Sequence, residues 1–192
     1  MDIKKKTFRY REACKIGRAV FQWFLPHWQA QFGEEQILYI DESGINSKAT
    51  AEYGWSEKGK RCEGIQSGGH GQRLNIISAV RSNQPYCFIA PCVFAGHCDR
   101  QLFTQWLEYL LQQLPEDKKH LLILDNASIH KSQEIKQLVK QYHCEIRYLP
   151  AYSPDYNPIE KAWSVLKSKI RHYVTQFNLS IDDAIDLSFK EM

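Results

Sequence analysis

Leu121-Leu-Ile-Leu-Asp125 is the stretch that decides how this 192-residue chain is read. Four apolar residues run together and an acid closes them. A strand with one face in water alternates apolar and polar residues, whereas a strand covered on both faces does not. The run therefore predicts a central strand in a sheet with helices on both sides, an α/β architecture, with Asp125 at the strand's end. Working outward, the period on either side is helical. Upstream, Leu102, Phe103, Trp106, Leu107, Leu110, Leu111 and Leu114 recur at helical spacing, with Asp99 as N-cap and Pro115 as stop. Downstream, Ser132 to Tyr142 reads as a helix and Glu145 to Leu149 as a strand. From Asn157 a further helix places Ile159, Trp163, Leu166 and Ile170 on one face.

The first half of the chain reads as strands. Ile37-Leu-Tyr-Ile40 is a short apolar run ending in Asp41, and Tyr53 to Arg61, Leu74 to Val80 and Tyr86 to Phe94 follow, with a glycine-rich turn at Gly68-Gly-His-Gly71. Short connections predict an antiparallel meander joined to parallel strands, hence a mixed sheet flanked by helices. Residues 37, 39 and 41 share one face of the first strand, so Glu42 points to the other and only Asp41 faces a site on the first.

Composition narrows the class. Hydrophobic residues are 43% and charged residues 24%, close to the globular average, which excludes a disordered chain. No apolar run approaches the ~18 residues of a membrane span. The net charge is only +3, but it is unevenly spread. Lys4, Lys5, Lys6, Arg9, Arg11, Lys15 and Arg18 crowd the start, and Lys161, Lys167, Lys169 and Arg171 cluster near residue 165. Such stretches suit either a local polyanion contact or two solvated faces. Residues 1–35 read as a basic, aromatic arm or linker helix, and residues 36–192 as the main domain. The six cysteines include no CxxC pair, so they read as reduced cytosolic thiols, and a zinc site at Cys92, His97 and Cys98 is not expected.

Three acids occupy informative places. Asp41 and Asp125 close strands, where α/β sheets form sites, although a strand-end Asp also serves as a turn or cap. Glu160 falls at the capping-box position if Asn157 is the N-cap and Pro158 the first helical residue. Yet Glu160, Ser164, Lys167 and Arg171 recur at helical intervals, one polar line with a carboxylate at one end and cations behind it. Phosphodiester cleavage needs an activated water or hydroxyl and a neutralised transition state, which two divalent ions supply. Mg²⁺ and Mn²⁺ take oxygen ligands, and three carboxylates would provide them.

Tyr39-Ile-Asp-Glu-Ser-Gly44, Ile123-Leu-Asp-Asn-Ala-Ser-Ile-His130 and Leu149-Pro-Ala-Tyr-Ser-Pro-Asp-Tyr-Asn-Pro-Ile-Glu-Lys-Ala-Trp163 resemble the three catalytic blocks of bacterial insertion-sequence transposases of the mariner superfamily. Thirty-four residues separate Asp125 from Glu160, the interval that the resemblance leads one to expect. It covers residues 4–180, with Trp55 and Gly59-Lys-Arg61 also family-like. The resemblance implies an RNase H-like fold and a transposase that cuts DNA at element ends and joins them to target DNA. It implies Asp41, Asp125 and Glu160 as catalytic metal ligands for two Mg²⁺ or Mn²⁺ ions. Asn126 and His130 match the second block as site-shaping or DNA-contacting residues, their alternative being backbone capping. With Lys161, Lys167 and Arg171 they form the expected DNA-binding set. A homodimeric complex in the bacterial cytoplasm, associated with the nucleoid, is implied. Ala151 and Tyr156 depart from the family's usual proline and leucine. The family's N-terminal helix-turn-helix modules are absent, so the chain reads as a truncated copy or as one served by a separately encoded helix-turn-helix segment. A stand-alone nuclease and a non-catalytic regulatory copy are the alternatives.

Overall fold

The computed structural model describes residues 14–46 and 73–192. The expected strand at Tyr53 to Arg61, the glycine-rich turn, Trp55, Cys62 and the basic residues before Cys14 lie outside the described residues. A helix α1 (Lys15–Phe32) leads into β1 (Ile37–Asn46), β2 (Arg73–Arg81) and β3 (Gln84–Ala95). Then α2 (Arg100–Gln112), β4 (Leu121–Leu124), α3 (Gln133–Gln141), β5 (Glu145–Tyr148), α4 (Ile159–Gln176) and α5 (Ile181–Lys190) alternate.

The five strands form one mixed sheet in the order β3-β2-β1-β4-β5. β1, β2 and β3 pair antiparallel as the expected meander, while β4 lies parallel to both β1 and β5. The apolar run of β4 is fully buried, as a strand covered on both faces must be. Alternation then sorts the core into two layers. Ile37, Tyr39, Leu121 and Ile123 belong to one cluster with Trp163, Leu166 and Ile170 of α4 and Ile181 and Ile185 of α5. Leu38, Ile40, Leu122 and Leu124 belong to the other, with Phe103, Trp106, Leu107 and Leu110 of α2 and Ile135 and Val139 of α3.

β1 is longer than its apolar run suggests. It continues through Asp41 to Asn46, because β2 pairs with it along its length. Asp41 therefore does not end its strand. It lies just beyond Tyr39, where parallel pairing with β4 stops. Asp99 caps α2 by accepting from Leu102 N at 2.8 Å, as expected. Ser132 caps α3 rather than belonging to it. α5, which the sequence reading did not anticipate, packs against α4 and is capped by Ser180.

α1 is docked rather than free. Phe21 enters the α4-side core, and the buried Arg18 guanidinium forms a two-pronged ion pair with Asp155, at 2.8 and 2.6 Å. The same guanidinium lies 4.0 Å from the centre of the Tyr156 ring, which stacks on Phe21. Tyr156 thus has a packing role: its flat ring accepts a planar cation, which an aliphatic residue could not do.

Candidate active site at the junction of β1, β4 and α4

The parallel register aligns Ile37 with Leu121 and Tyr39 with Ile123. Two residues further along each chain are Asp41 and Asp125, so strand alternation puts both acids on the α4 side. Glu160, in the first turn of α4, joins them. The three acids line one cleft of about 400 Å³, with Asn126, Ala127, Asn157 and the Leu149 to Pro154 loop forming the rest of its wall. Thus the three acids singled out in the sequence converge, although they lie far apart along the chain.

Their environments differ. Burial raises the Asp41 carboxyl, and the charges of Glu160 and Asp125 push it further, to about 7. Glu160 is also raised by burial, with the Lys167 charge opposing. Burial acts on Asp125 in the same direction, but its contact with His130 and the Ala127 N–H outweigh it and hold that carboxyl below its ordinary value. Like charges crowded on one wall oppose each other's ionisation until a cation joins them.

The capping-box alternative for Glu160 is not realised. The chain enters α4 through a 3-10 turn at Pro154–Tyr156, Pro158 occupies the cap position, and no side chain caps the helix. Asn157 Oδ1 is instead buried on the cleft wall without a hydrogen-bond partner. A buried amide oxygen left unpaired costs free energy, so it marks a place where a group from outside would be welcomed.

His130 and Asn126 separate. Asn126 is exposed and lines the cleft. His130 is 5% exposed, with Nδ1 2.7 Å from Asp125 Oδ1 and Nε2 3.5 Å from Glu42 Oε1. That burial leaves no ring face open to a phosphate, against the DNA-contact expectation. Burial lowers the imidazole, but the two carboxylates outweigh it and raise it to about 9. Glu42 was read from the alternation as turned away from the site. It is, yet it reaches Asp125's partner from behind.

On α4, Lys161 and Arg171 are exposed and Lys167 is half-buried. Burial lowers Lys167, while the charges of Glu160 and Asp41 draw it back up, so its ammonium stands near the acids. The polar line of Glu160, Ser164, Lys167 and Arg171 therefore runs away from the cleft along the outer face of α4, clear of the buried Trp163, Leu166 and Ile170.

The charged donors on the cleft wall are carboxylate oxygens, with the Asn157 Oδ1 beside them, a set that suits Mg²⁺ or Mn²⁺. Among the described residues no three His, Cys, Asp or Glu side chains, Asp41, Asp125 and Glu160 included, stand close enough to hold one metal ion together. Mg²⁺ does not require three, since it is usually held by one or two carboxylates with water and substrate phosphate. The five described cysteines are free thiols.

A mixed sheet with one acid on its middle strand, one just past the neighbouring parallel strand and a third on the helix after the last strand is the RNase H-like arrangement. The protein shares this fold with a Mos1 transposase paired-end complex (TM-score 0.70, 15% identity, covering 100% of this chain and 60% of that one). It shares it also with the catalytic core domain of BIV integrase (TM-score 0.51, 13% identity, 81% of each chain). The chain belongs to the DDE superfamily endonuclease family, which matches residues 36–180. An insertion element IS630 uncharacterized 39 kDa protein from Shigella sonnei is 27% identical over 138 residues, spanning 71% of this chain. The match spans 39% of that relative's own length.

Proposed function

We propose that this chain is the catalytic domain of an insertion-sequence transposase that cuts DNA at element ends and joins the freed 3′-hydroxyl to target DNA. The observation that carries the reading is the convergence of Asp41, Asp125 and Glu160 on one cleft, from two adjacent parallel strands and the helix α4 that comes after β5. Membership in the endonuclease family supports the hydrolytic step. Joining is the same in-line displacement with a 3′-hydroxyl in place of water.

Asp41, Asp125 and Glu160 would hold two Mg²⁺ or Mn²⁺ ions, which when bound activate the nucleophile and neutralise charge at phosphorus. The protein's own contribution is placement. β1 and β4 fix two carboxylates at adjacent strand positions, and α4 brings the third from the side. The loop from Leu149 to Pro154 walls the cleft, and Asn157 Oδ1 offers an acceptor to a bound hydroxyl or water. Lys161, Lys167, Arg171 and Asn126 form the DNA track, Lys167 nearest the acids. Phosphate contacts of this kind position a duplex without reading its sequence. Residues 1–35 would serve as the arm leading in, and a helix-turn-helix segment, fused or separate, would supply base recognition. The active assembly would be a homodimer on DNA in the bacterial cytoplasm. No helix among the described residues is long and apolar enough to cross a membrane.

The test is a strand-transfer assay with pre-cut element ends and Mg²⁺ or Mn²⁺. Transposase activity predicts joined products that EDTA abolishes. Cutting without joining would leave a stand-alone nuclease, and DNA binding without either would leave a regulatory copy.

A further inference from the structure

β1 places two consecutive acids on opposite faces of the sheet. Asp41 enters the cleft, while Glu42 lies on the side of Leu38 and Ile40, facing α2. There its Oε1 is buried, 3.5 Å from His130 Nε2, a charge contact without hydrogen-bond alignment, as is true of both ring nitrogens. The other ring nitrogen of His130 is 2.7 Å from Asp125 Oδ1. The ring packs on Phe103, with centres 4.3 Å apart, and the backbone carbonyl of His130 accepts from the Tyr148 hydroxyl at 2.9 Å. Asp125 Oδ1 also accepts from the Ala127 N–H at 3.0 Å.

We propose that His130 and Glu42 are positioning residues for Asp125. They fasten its Oδ1 from behind the sheet, so that Oδ2 is the oxygen presented to the cleft.

A ring that only filled space beside Phe103 would be less costly as a phenyl group, because two imidazole nitrogens and a carboxylate must otherwise be stripped of water. Their mutual approach offsets that cost and fixes a geometry that exposed Asp125, half open to solvent, could not hold alone. Partners of this kind behind a metal-binding group set its orientation and its affinity. The connection also makes a single strand responsible for two of the three acids, Asp41 directly and Asp125 through Glu42 and His130. The inference rests on Asp125 being a metal ligand, as proposed above.

The test uses the full chain, with Mn²⁺ as the probe. Direct binding is read by the loss of the free Mn²⁺ electron-spin signal, cleavage by nicking of a supercoiled plasmid, and folding by thermal melting. His130→Phe keeps the ring packing on Phe103 and removes both nitrogens. It should raise the half-saturating Mn²⁺ concentration by about 10–100-fold in both binding and cleavage. Excess Mn²⁺ should restore part of the cleavage. Glu42→Gln, which keeps an acceptor for Nε2, should stay near wild type, whereas Glu42→Ala should shift in the direction of His130→Phe. This second pair carries the test if the phenylalanine variant does not fold. Unchanged Mn²⁺ binding in folded His130→Phe, or in Glu42→Ala, overturns the positioning role. Asp125→Asn separates the two levels. If it loses Mn²⁺ binding while His130→Phe does not, only the positioning role fails. If the wild-type chain neither binds Mn²⁺ nor cuts, the metal reading fails and the positioning role falls with it.

Discussion

On one side of the sheet Ile37, Tyr39, Leu121 and Ile123 pack against α4 and α5, and the strands then deliver Asp41, largely buried, and Asp125, exposed, to the cleft. On the other, Leu38, Ile40, Leu122 and Leu124 pack against α2 and α3, and the next polar groups are the buried His130 and Glu42, whose side chain keeps 28% of its exposure. The same two strands thus feed a wetter face and a drier one. The difference lies in what covers the strand ends. Glu160 begins α4 at the rim of a cleft, whereas Phe103 of α2 lies directly over the His130 ring. Acids on the open side can exchange water for an ion. Those on the closed side are confined to one arrangement, which suits support rather than exchange.

The sharpest break in this comparison comes from the open side. Asp125→Asn should reduce cleavage by about 10³-fold, ~4 kcal/mol of barrier, while the melting temperature is kept. Full cleavage by that variant would sink the assignment. Next come matched truncations in the two layers. Leu166→Ala in α4 and Leu107→Ala in α2 both remove fully buried side chains and should each cost about 2–5 kcal/mol in chemical denaturation. Measured well below melting, only Leu166→Ala should also slow cleavage, because α4 carries Glu160. Equal kinetic losses would erase the distinction between the faces.

Arg18→Ala should cost about 1.5 kcal/mol, the low end for a hydrogen bond to a charged group, since the Asp155 side chain keeps 29% of its exposure. Arg18→Lys should recover only part of this, because lysine cannot reproduce the fork. Denaturant midpoints would show it. On α4, replacing Lys167 and Arg171 together should flatten the salt dependence of DNA binding by roughly two units of slope for all sequences alike. An unchanged slope would leave them as a solvated face.

The smallest effect belongs to the dry side. His120 is fully buried beside Leu111 and Leu114, and burial lowers its imidazole below the ordinary 6.5. A group depressed in the fold favours the native state above its unfolded value and ceases to do so as pH falls through the folded one. Denaturation midpoints should therefore drop from about pH 6.5 downward, and His120→Gln should flatten that drop. A variant as acid-sensitive as wild type would rule this source out.

Much of this was legible because alternation and apolar runs report burial directly. Leu121 to Leu124 announced a covered strand, and the odd positions of Ile37 to Asp41 put the right acid on the open face. Asp41 was nonetheless misread as a strand end, because a run of apolar residues records where a strand is covered, not where β2 stops pairing with it. The helix start at Asn157 was misplaced for a related reason. Asn-Pro is a good cap signal, but the 3-10 turn before it sets a geometry in which Pro158 takes that place. Arg18 with Asp155 was out of reach, since no local pattern links residues 137 positions apart. Glu42 could have been found: an acid next to a site acid, pointing into an apolar layer, needs a buried cation, and His130 was already in view.

β1 meets its two neighbours at very different distances along the chain. Its partners in β2 begin a few dozen residues on, while Ile37 meets Leu121 after 84 positions. Closing the longer loop costs more chain entropy and tends to come later in folding. The meander should therefore form first, with Asp41 already in place, and β4 should add Asp125 as the sheet is completed. In a refolding chain the capacity to cut would arrive as the final event. A half-made molecule, though already carrying its basic residues, would be unable to damage the DNA it touches.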